Sequence, residues 1–204
     1  AYFMTEHSGQ KVFGGLVKRF REAVGVADHR PAAAPDGMRI YAIGDIHGRD
    51  DLLEELLRRI EADAGSTAGG LRNVLIFLGD YVDRGLQSKQ VLDRLSAGSL
   101  GGFETVFLKG NHEAAMLEFL RDAQFGRTWK YYGGLETLHS YGITDLTLSD
   151  DPRDFGRARA HLEAVLPERH RHFLQSLSVW AELGGYFFVH AGVRPGVPLS
   201  RQIE

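Results

Sequence analysis

Eight polar residues in this sequence have the types and spacing for metal-assisted chemistry, and they fall in four short motifs. Asp45 and His47 lie in Gly44-Asp45-Ile46-His47-Gly48. Asp80, Asp83 and Arg84 lie in Gly79-Asp80-Tyr81-Val82-Asp83-Arg84-Gly85. Asn111 and His112 lie in Gly110-Asn111-His112-Glu113, and His190 opens His190-Ala191-Gly192. Taken singly, an Asp after a strand is usually a turn or cap and a His is usually a packed or solvated imidazole. Taken together, carboxylate oxygen, imidazole nitrogen and amide oxygen form a mixed ligand set. That set suits two divalent metal ions, with Mn first and Fe or Zn also fitting; the imidazoles make it a poor home for Ca. Asp45 and His47 can turn toward one ion, Asp80 can bridge two, and Asn111 with His190 would complete the ligand set of the second ion. Water held between two such cations loses its proton easily and becomes a nucleophile. Arg84 could grip a phosphate through paired hydrogen bonds. His112, held in one tautomer by Asp83, could give a proton to a leaving alkoxide.

These residues need elements that bring them together. Met38 to Ile43 reads as a strand, Asp50 to Ala64 as a helix with Asp50 or Asp51 as its cap, and Val74 to Leu78 as a second strand. Ser88 to Leu95 reads as a helix, Thr105 to Leu108 as a third strand, and Glu113 to Asp122 as the next helix. Strand, polar loop and helix repeated in this way imply a largely parallel sheet, with ligands bound beyond the carboxyl ends of the strands. Residues 129–178 read as a helical, cap-like insertion, and Tyr186 to Val189 as a fourth strand whose end joins the same sheet edge. Gly44, Gly48, Gly79, Gly85 and Gly110 would let the backbone turn sharply around ions and phosphate.

The four motifs, in this order, resemble those of the calcineurin-like metallophosphoesterases, and within them the phosphoprotein phosphatase group. The resemblance covers roughly residues 38–196. It implies an α/β fold, a four-layer αββα sandwich with a dinuclear site at its edge, and hydrolysis of phosphomonoesters without a phosphoenzyme. It places metal ligation on Asp45, His47, Asp80, Asn111 and His190, the acid pair on His112 and Asp83, and phosphate binding on Arg84 together with Asn111. Trp129 to Gly142 and His190 to Gly196 look like bacterial serine/threonine phosphatases of the lambda phage type, which makes a phosphorylated protein the expected substrate. A small phosphoester, as for the diadenosine tetraphosphatases, is the nearest alternative; those enzymes usually carry Ala where Asp83 stands. A non-catalytic docking module on the same fold is a third reading, against which the retained acid pair and Arg84 argue. The family pattern ends with a further strand and a Gly-His motif, whereas no His follows His190 here. A shortened, weakly active and metal-poor form lacking its C-terminal strands is therefore expected, with an open strand edge that a second copy could fill.

The rest of the sequence sets bounds. With 204 residues, 43 % apolar, 25 % charged and a net charge of −3, it suits one sizeable domain and implies no affinity for nucleic acid. No cysteine is present, which excludes disulfides and thiol nucleophiles and agrees with a cytoplasmic setting. No apolar run reaches the roughly 18 residues that would span a bilayer. Neither a phosphate-loop signature nor a zinc-protease His-Glu-x-x-His is present. Residues 1–37 read as a tail and linker ahead of a catalytic domain at 38–204. The tail begins with Ala1-Tyr2-Phe3, which looks vector-derived. Val12, Phe13, Leu16, Val17 and Phe20, interleaved with Lys11, Lys18, Arg19 and Arg21, could form a basic amphipathic helix that touches a membrane, a partner or its own domain. His170 and His172 read as a solvated helix face.

Overall fold

The computed structural model describes residues 32–66, 70–98, 100–144 and 151–202. The expected amphipathic helix of the tail lies outside these residues. Among the described residues, no helix is long and apolar enough to cross a membrane.

Three parallel strands carry the site. β1 (Met38–Ile43), β2 (Arg72–Phe77) and β3 (Glu104–Phe107) pair in the order β1-β2-β3. Ile43 faces Phe77, and Phe77 faces Phe107, so the three carboxyl ends finish almost level. β2 is central, and Val74, Leu75, Ile76 and Phe77 are buried to 1 % exposure or less. A continuous apolar run is what a strand covered on both faces requires.

The crossovers are α1 (Asp50–Gly65) and α2 (Ser88–Leu95), and α3 (Asn111–Arg121) starts directly after β3. α1 buries Leu53, Leu57 and Ile60, which recur at helical spacing on one face. Neither Asp50 nor Asp51 caps it: Arg49 stands at the cap position and makes no side-chain capping bond. Asp50 instead pairs with Arg94 through two bonds of 2.7 and 2.9 Å, and Asp51 pairs with Arg49. α3 begins two residues earlier than the periodicity suggests, so Asn111 and His112 belong to its first turn.

The described residues within 129–178 are mainly helical, and one face of these helices is buried. A helical turn at Gly126–Trp129 is followed by α4 (Gly134–Ser140), α5 (Pro152–Val165) and α6 (Glu168–Ser176). Trp129, Leu138, Phe155, Leu162 and Phe173 join the same apolar cluster as Leu75, Phe77 and Phe119. Among the described residues of the first half of this stretch, Tyr131 and Tyr132 are the exposed large hydrophobic side chains. His170 departs from the solvated-face expectation. It is fully buried, with Nδ1 2.8 Å from the Tyr141 hydroxyl and Nε2 3.1 Å from Asp93, while His172 is exposed.

After α6 the chain runs alongside the end of β3, where Lys109 N–H donates to the Ser178 carbonyl at 2.7 Å. It then forms a hairpin of β4 (Trp180–Leu183) and β5 (Tyr186–Val189), turning at Gly184, whose φ is +61°. The strand ending at His190 therefore belongs to a separate antiparallel sheet, not to the parallel one. Periodicity missed β4, although Gly184-Gly185 between two apolar runs is a standard hairpin signal.

Candidate metal centre

The four motif loops are bonded to one another before any ligand is considered. The first lies on the second: Ile46 and His47 N–H both donate to the Asp80 carbonyl at 2.9 Å, and Gly48 N–H donates to Tyr81 at 2.8 Å. The second is tied to the third by Glu113, a residue that the motif contains but to which sequence reasoning gave no task. Its carboxylate is fully buried and accepts from the N–H groups of Asp80 and Gly110 (both 2.9 Å), Tyr81 (2.7 Å) and Val82 (3.3 Å). Burial pushes the Glu113 carboxyl up, against the pull of those donors. The fourth loop reaches the second through His190, whose Nδ1–H donates to the Leu78 carbonyl at 2.9 Å.

Two glycines are needed for this contact. Gly79 has φ +107°, and a Cβ there would sit 2.6 Å from the Gly110 nitrogen. A Cβ on Gly48 would sit 2.5 Å from the Gly85 carbonyl oxygen. Gly44 is different from the expectation: its φ is ordinary and a Cβ would meet nothing within 4 Å.

Within this frame the side chains form two donor groups that share Asp80. One contains His47, Asp80 and His112; the other contains Asp45, Asp80 and His190. His47 Nε2 lies 3.7 Å from Asp80 Oδ2 and 3.9 Å from Asp45 Oδ2. His190 Nε2 lies 3.4 Å from Asp80 Oδ1 and 3.1 Å from Asn111 Oδ1. Tautomers follow from the backbone. His47 Nδ1 is 3.0 Å from the Val82 carbonyl, which can only accept, so Nδ1 carries the hydrogen and Nε2 presents a lone pair. The same reasoning leaves His190 Nε2 as a lone pair. A carbonyl behind each imidazole is the usual support for a metal-binding histidine.

His47 Nε2 is also buried without a hydrogen-bond partner. Such an orphan is costly unless something binds it. Carboxylates, imidazoles and an amide oxygen this close together, with a buried imidazole nitrogen unsatisfied, fit divalent cations. Asp45, His47, Asp80, Asn111 and His190 could hold them.

His112 is arranged differently. Its Nδ1 is 2.8 Å from Asp83 Oδ2, and both residues are buried. Nε2 faces the centre, 3.8 Å from Asp80 Oδ2 and 3.4 Å from an Arg84 guanidinium nitrogen. Burial works against a charged imidazole here, but Asp83 and then Asp80 outweigh it and the net shift is upward. Arg84 is exposed, with its side chain at the mouth of the site. Asp83 has further partners that no motif announced. Trp129 Nε1–H donates to Oδ2 at 2.9 Å, and Thr137 donates to Oδ1 at 2.7 Å.

Comparison with known proteins assigns the chain to a family. Residues 38–200 match the family model described as calcineurin-like phosphoesterase, and the chain belongs to that family. A symmetrical bis(5'-nucleosyl)-tetraphosphatase of Janthinobacterium sp. (strain Marseille) is 31 % identical over 173 residues, covering 82 % of this chain and 50 % of that protein. Serine/threonine-protein phosphatase 2 of Escherichia coli (strain K12) is 36 % identical over 95 residues, 47 % of this chain and 38 % of that protein. The chain thus spans about half, or less, of the length of the curated relatives it matches. A crystal structure provisionally assigned as a diadenosine tetraphosphatase shares the fold. Its TM-score is 0.52 at 24 % identity, covering 84 % of this chain and 58 % of that one.

Proposed function

We propose that this chain hydrolyses phosphate monoesters of serine and threonine side chains with the help of two divalent cations, Mn first among them. In this reading Asp45, His47, Asp80, Asn111 and His190 would hold the cations, Asp80 standing in both donor groups. When bound, the cations supply Lewis-acid charge that polarises the phosphate and eases loss of a proton from water. Arg84, exposed beside His112, binds phosphate oxygens through its planar guanidinium, with Asn111 on the other side. His112 keeps its Nδ1–H on Asp83 and presents Nε2 to the leaving oxygen, where it delivers a proton.

The observation that carries the substrate class is the buried Asp83–His112 pair at 2.8 Å. A serine or threonine alkoxide is a poor leaving group that needs a proton as the P–O bond breaks. A nucleotide phosphate departs readily without one. A positioned general acid, typically worth about 10²–10⁴-fold, therefore matters most for the protein ester. The likeness to a symmetrical tetraphosphatase over 82 % of the chain favours a second reading, hydrolysis of a dinucleoside tetraphosphate. Side-by-side assays with Mn²⁺ decide between them. Phosphoserine and phosphothreonine peptides should release phosphate faster than a dinucleoside tetraphosphate is cleaved, and Asp80→Asn should abolish both. Cleavage of the tetraphosphate alone would overturn the first reading.

A further inference from the structure

The stretch from Trp129 to Thr137 lies outside the four motifs, yet it makes the most direct contacts with the acid pair. Trp129 is 1 % exposed and Thr137 is fully buried. The indole N–H donates to Asp83 Oδ2 at 2.9 Å, the same oxygen that faces His112 Nδ1 at 2.8 Å. The Thr137 hydroxyl accepts from Asp83 N–H at 2.8 Å and donates to Asp83 Oδ1 at 2.7 Å. Between them, at the bend, the Gly133 carbonyl accepts from Arg84 N–H at 3.2 Å. Gly133 has φ +96°, and a Cβ there would sit 2.5 Å from the Arg84 nitrogen.

We propose that Trp129 and Thr137 are positioning residues for proton delivery. They act as a two-point clamp that fixes both oxygens of Asp83, so that Asp83 in turn holds His112 with Nε2 facing the scissile bond. The inference rests on the reading of His112 as the proton donor. A carboxylate in a closed pocket can rotate about its side chain unless each oxygen has its own donor. Rotation of Asp83 would release the imidazole, and a small misplacement of a reacting group is expensive in rate. Here each oxygen has a separate neutral donor from the same helical stretch. Neutral donors leave the carboxylate charge available to His112, where a lysine or arginine in the same place would compete for it.

The test compares two substrates of the full chain with Mn²⁺: p-nitrophenyl phosphate, whose leaving group needs little help, and phenyl phosphate, whose leaving group needs a proton. His112→Asn should slow phenyl phosphate by about 10²–10⁴ and p-nitrophenyl phosphate far less. Trp129→Phe and Thr137→Val should skew the ratio in the same sense by about tenfold, the scale of one hydrogen bond to a charged group. Thr137→Ser, which keeps the hydroxyl, should restore the wild-type ratio. The ratio does not depend on how much of a variant is folded, because unfolded protein is lost to both substrates equally.

A skew for His112→Asn with none for the clamp variants would overturn the proposal and leave the proton-donor reading standing. No skew for His112→Asn would remove both. A second measurement needs no activity. The low-field Nδ1–H proton signal of His112, assigned by its loss in Asp83→Asn, should weaken in Trp129→Phe and Thr137→Val and persist in Thr137→Ser. An unchanged signal in both clamp variants would also overturn the proposal.

Discussion

Glutamine at position 113 would keep the shape of the side chain that ties the second motif loop to the third while removing one of its two acceptor oxygens. The remaining oxygen would turn toward Asp80 and Gly110, whose N–H groups are both at 2.9 Å. The new amide NH₂ would then face Tyr81 N–H, formerly bonded at 2.7 Å, and Val82 N–H, formerly at 3.3 Å. One strong and one weak bond to a charged acceptor would be lost, and two buried donors would meet another donor. Bonds to charged groups are worth about 1.5–3 kcal/mol each, and an unsatisfied buried donor costs about 1–3 kcal/mol. Relief from burying a charge offsets part of this. The expected loss is about 2–4 kcal/mol of folding stability. Urea denaturation in the presence of chelator reads it directly. A parallel Mn²⁺ titration by calorimetry should show weaker binding, because the displaced segment begins at Asp80. A variant within about 0.5 kcal/mol of wild type, the range of ordinary surface substitutions, with unaltered Mn²⁺ binding, would refute the argument that Glu113 organises the centre.

Three further outcomes are expected. Asp80→Asn removes the charge common to both donor groups, so calorimetry should show Mn²⁺ binding lost at both sites, not at one. Gly79→Ala places a Cβ 2.6 Å from the Gly110 nitrogen at φ +107°, and should cost about 2 kcal/mol or more in denaturation while cutting turnover at least tenfold. Burial pushes the His170 imidazole below its ordinary value against the pull of Asp93. The unfolded chain therefore takes up the proton first as pH falls below about 6.5, and stability is lost toward acid pH. Thermal melts in chelator should show this slope between roughly pH 7 and 5, and His170→Phe should flatten it.

The parts of this molecule that sequence made legible are those with a repeating local signal. Strand β1 reads as a short apolar run and helix α1 repeats apolar residues at helical spacing, and the glycines beside Asp45, Asp80 and Asn111 mark loops at strand ends. Their convergence followed from the rule that parallel strands present their carboxyl ends together. The residues that sequence did not reveal work through long-range contacts. Nothing local to Trp129 announces a hydrogen bond to Asp83, 46 positions away. His170 looks solvated in sequence because Arg169, Arg171 and His172 make its surroundings polar, whereas its nitrogens meet Tyr141 and Asp93 from other elements. Glu113 stood in plain view within a motif, but its four donors come from backbone that no pattern of side chains describes.

Among the described residues, four other than glycine have left-handed backbone, and all are in the site: His47 (φ 46°), Asp80 (φ 56°), Asp83 (φ 73°) and Arg84 (φ 66°). Asp and His tolerate this region better than most residues, yet each position costs about 1 kcal/mol or more. The N–H of every one is engaged by a separate piece of chain. His47 donates to the Asp80 carbonyl, Asp80 to Glu113, Asp83 to Thr137 and Arg84 to the Gly133 carbonyl. A loop held by its own turn chemistry would relax if its ligand left. These loops are held by one another and by α3 and α4, so the unfavourable backbone geometry persists whatever occupies the centre. Strain maintained in this way keeps the carboxylates gathered against their mutual repulsion. It also accounts for charge at the mouth of the core, since the carboxylates of Asp80 and Asp83 are placed by backbone whose N–H groups are bonded to Glu113 and Thr137.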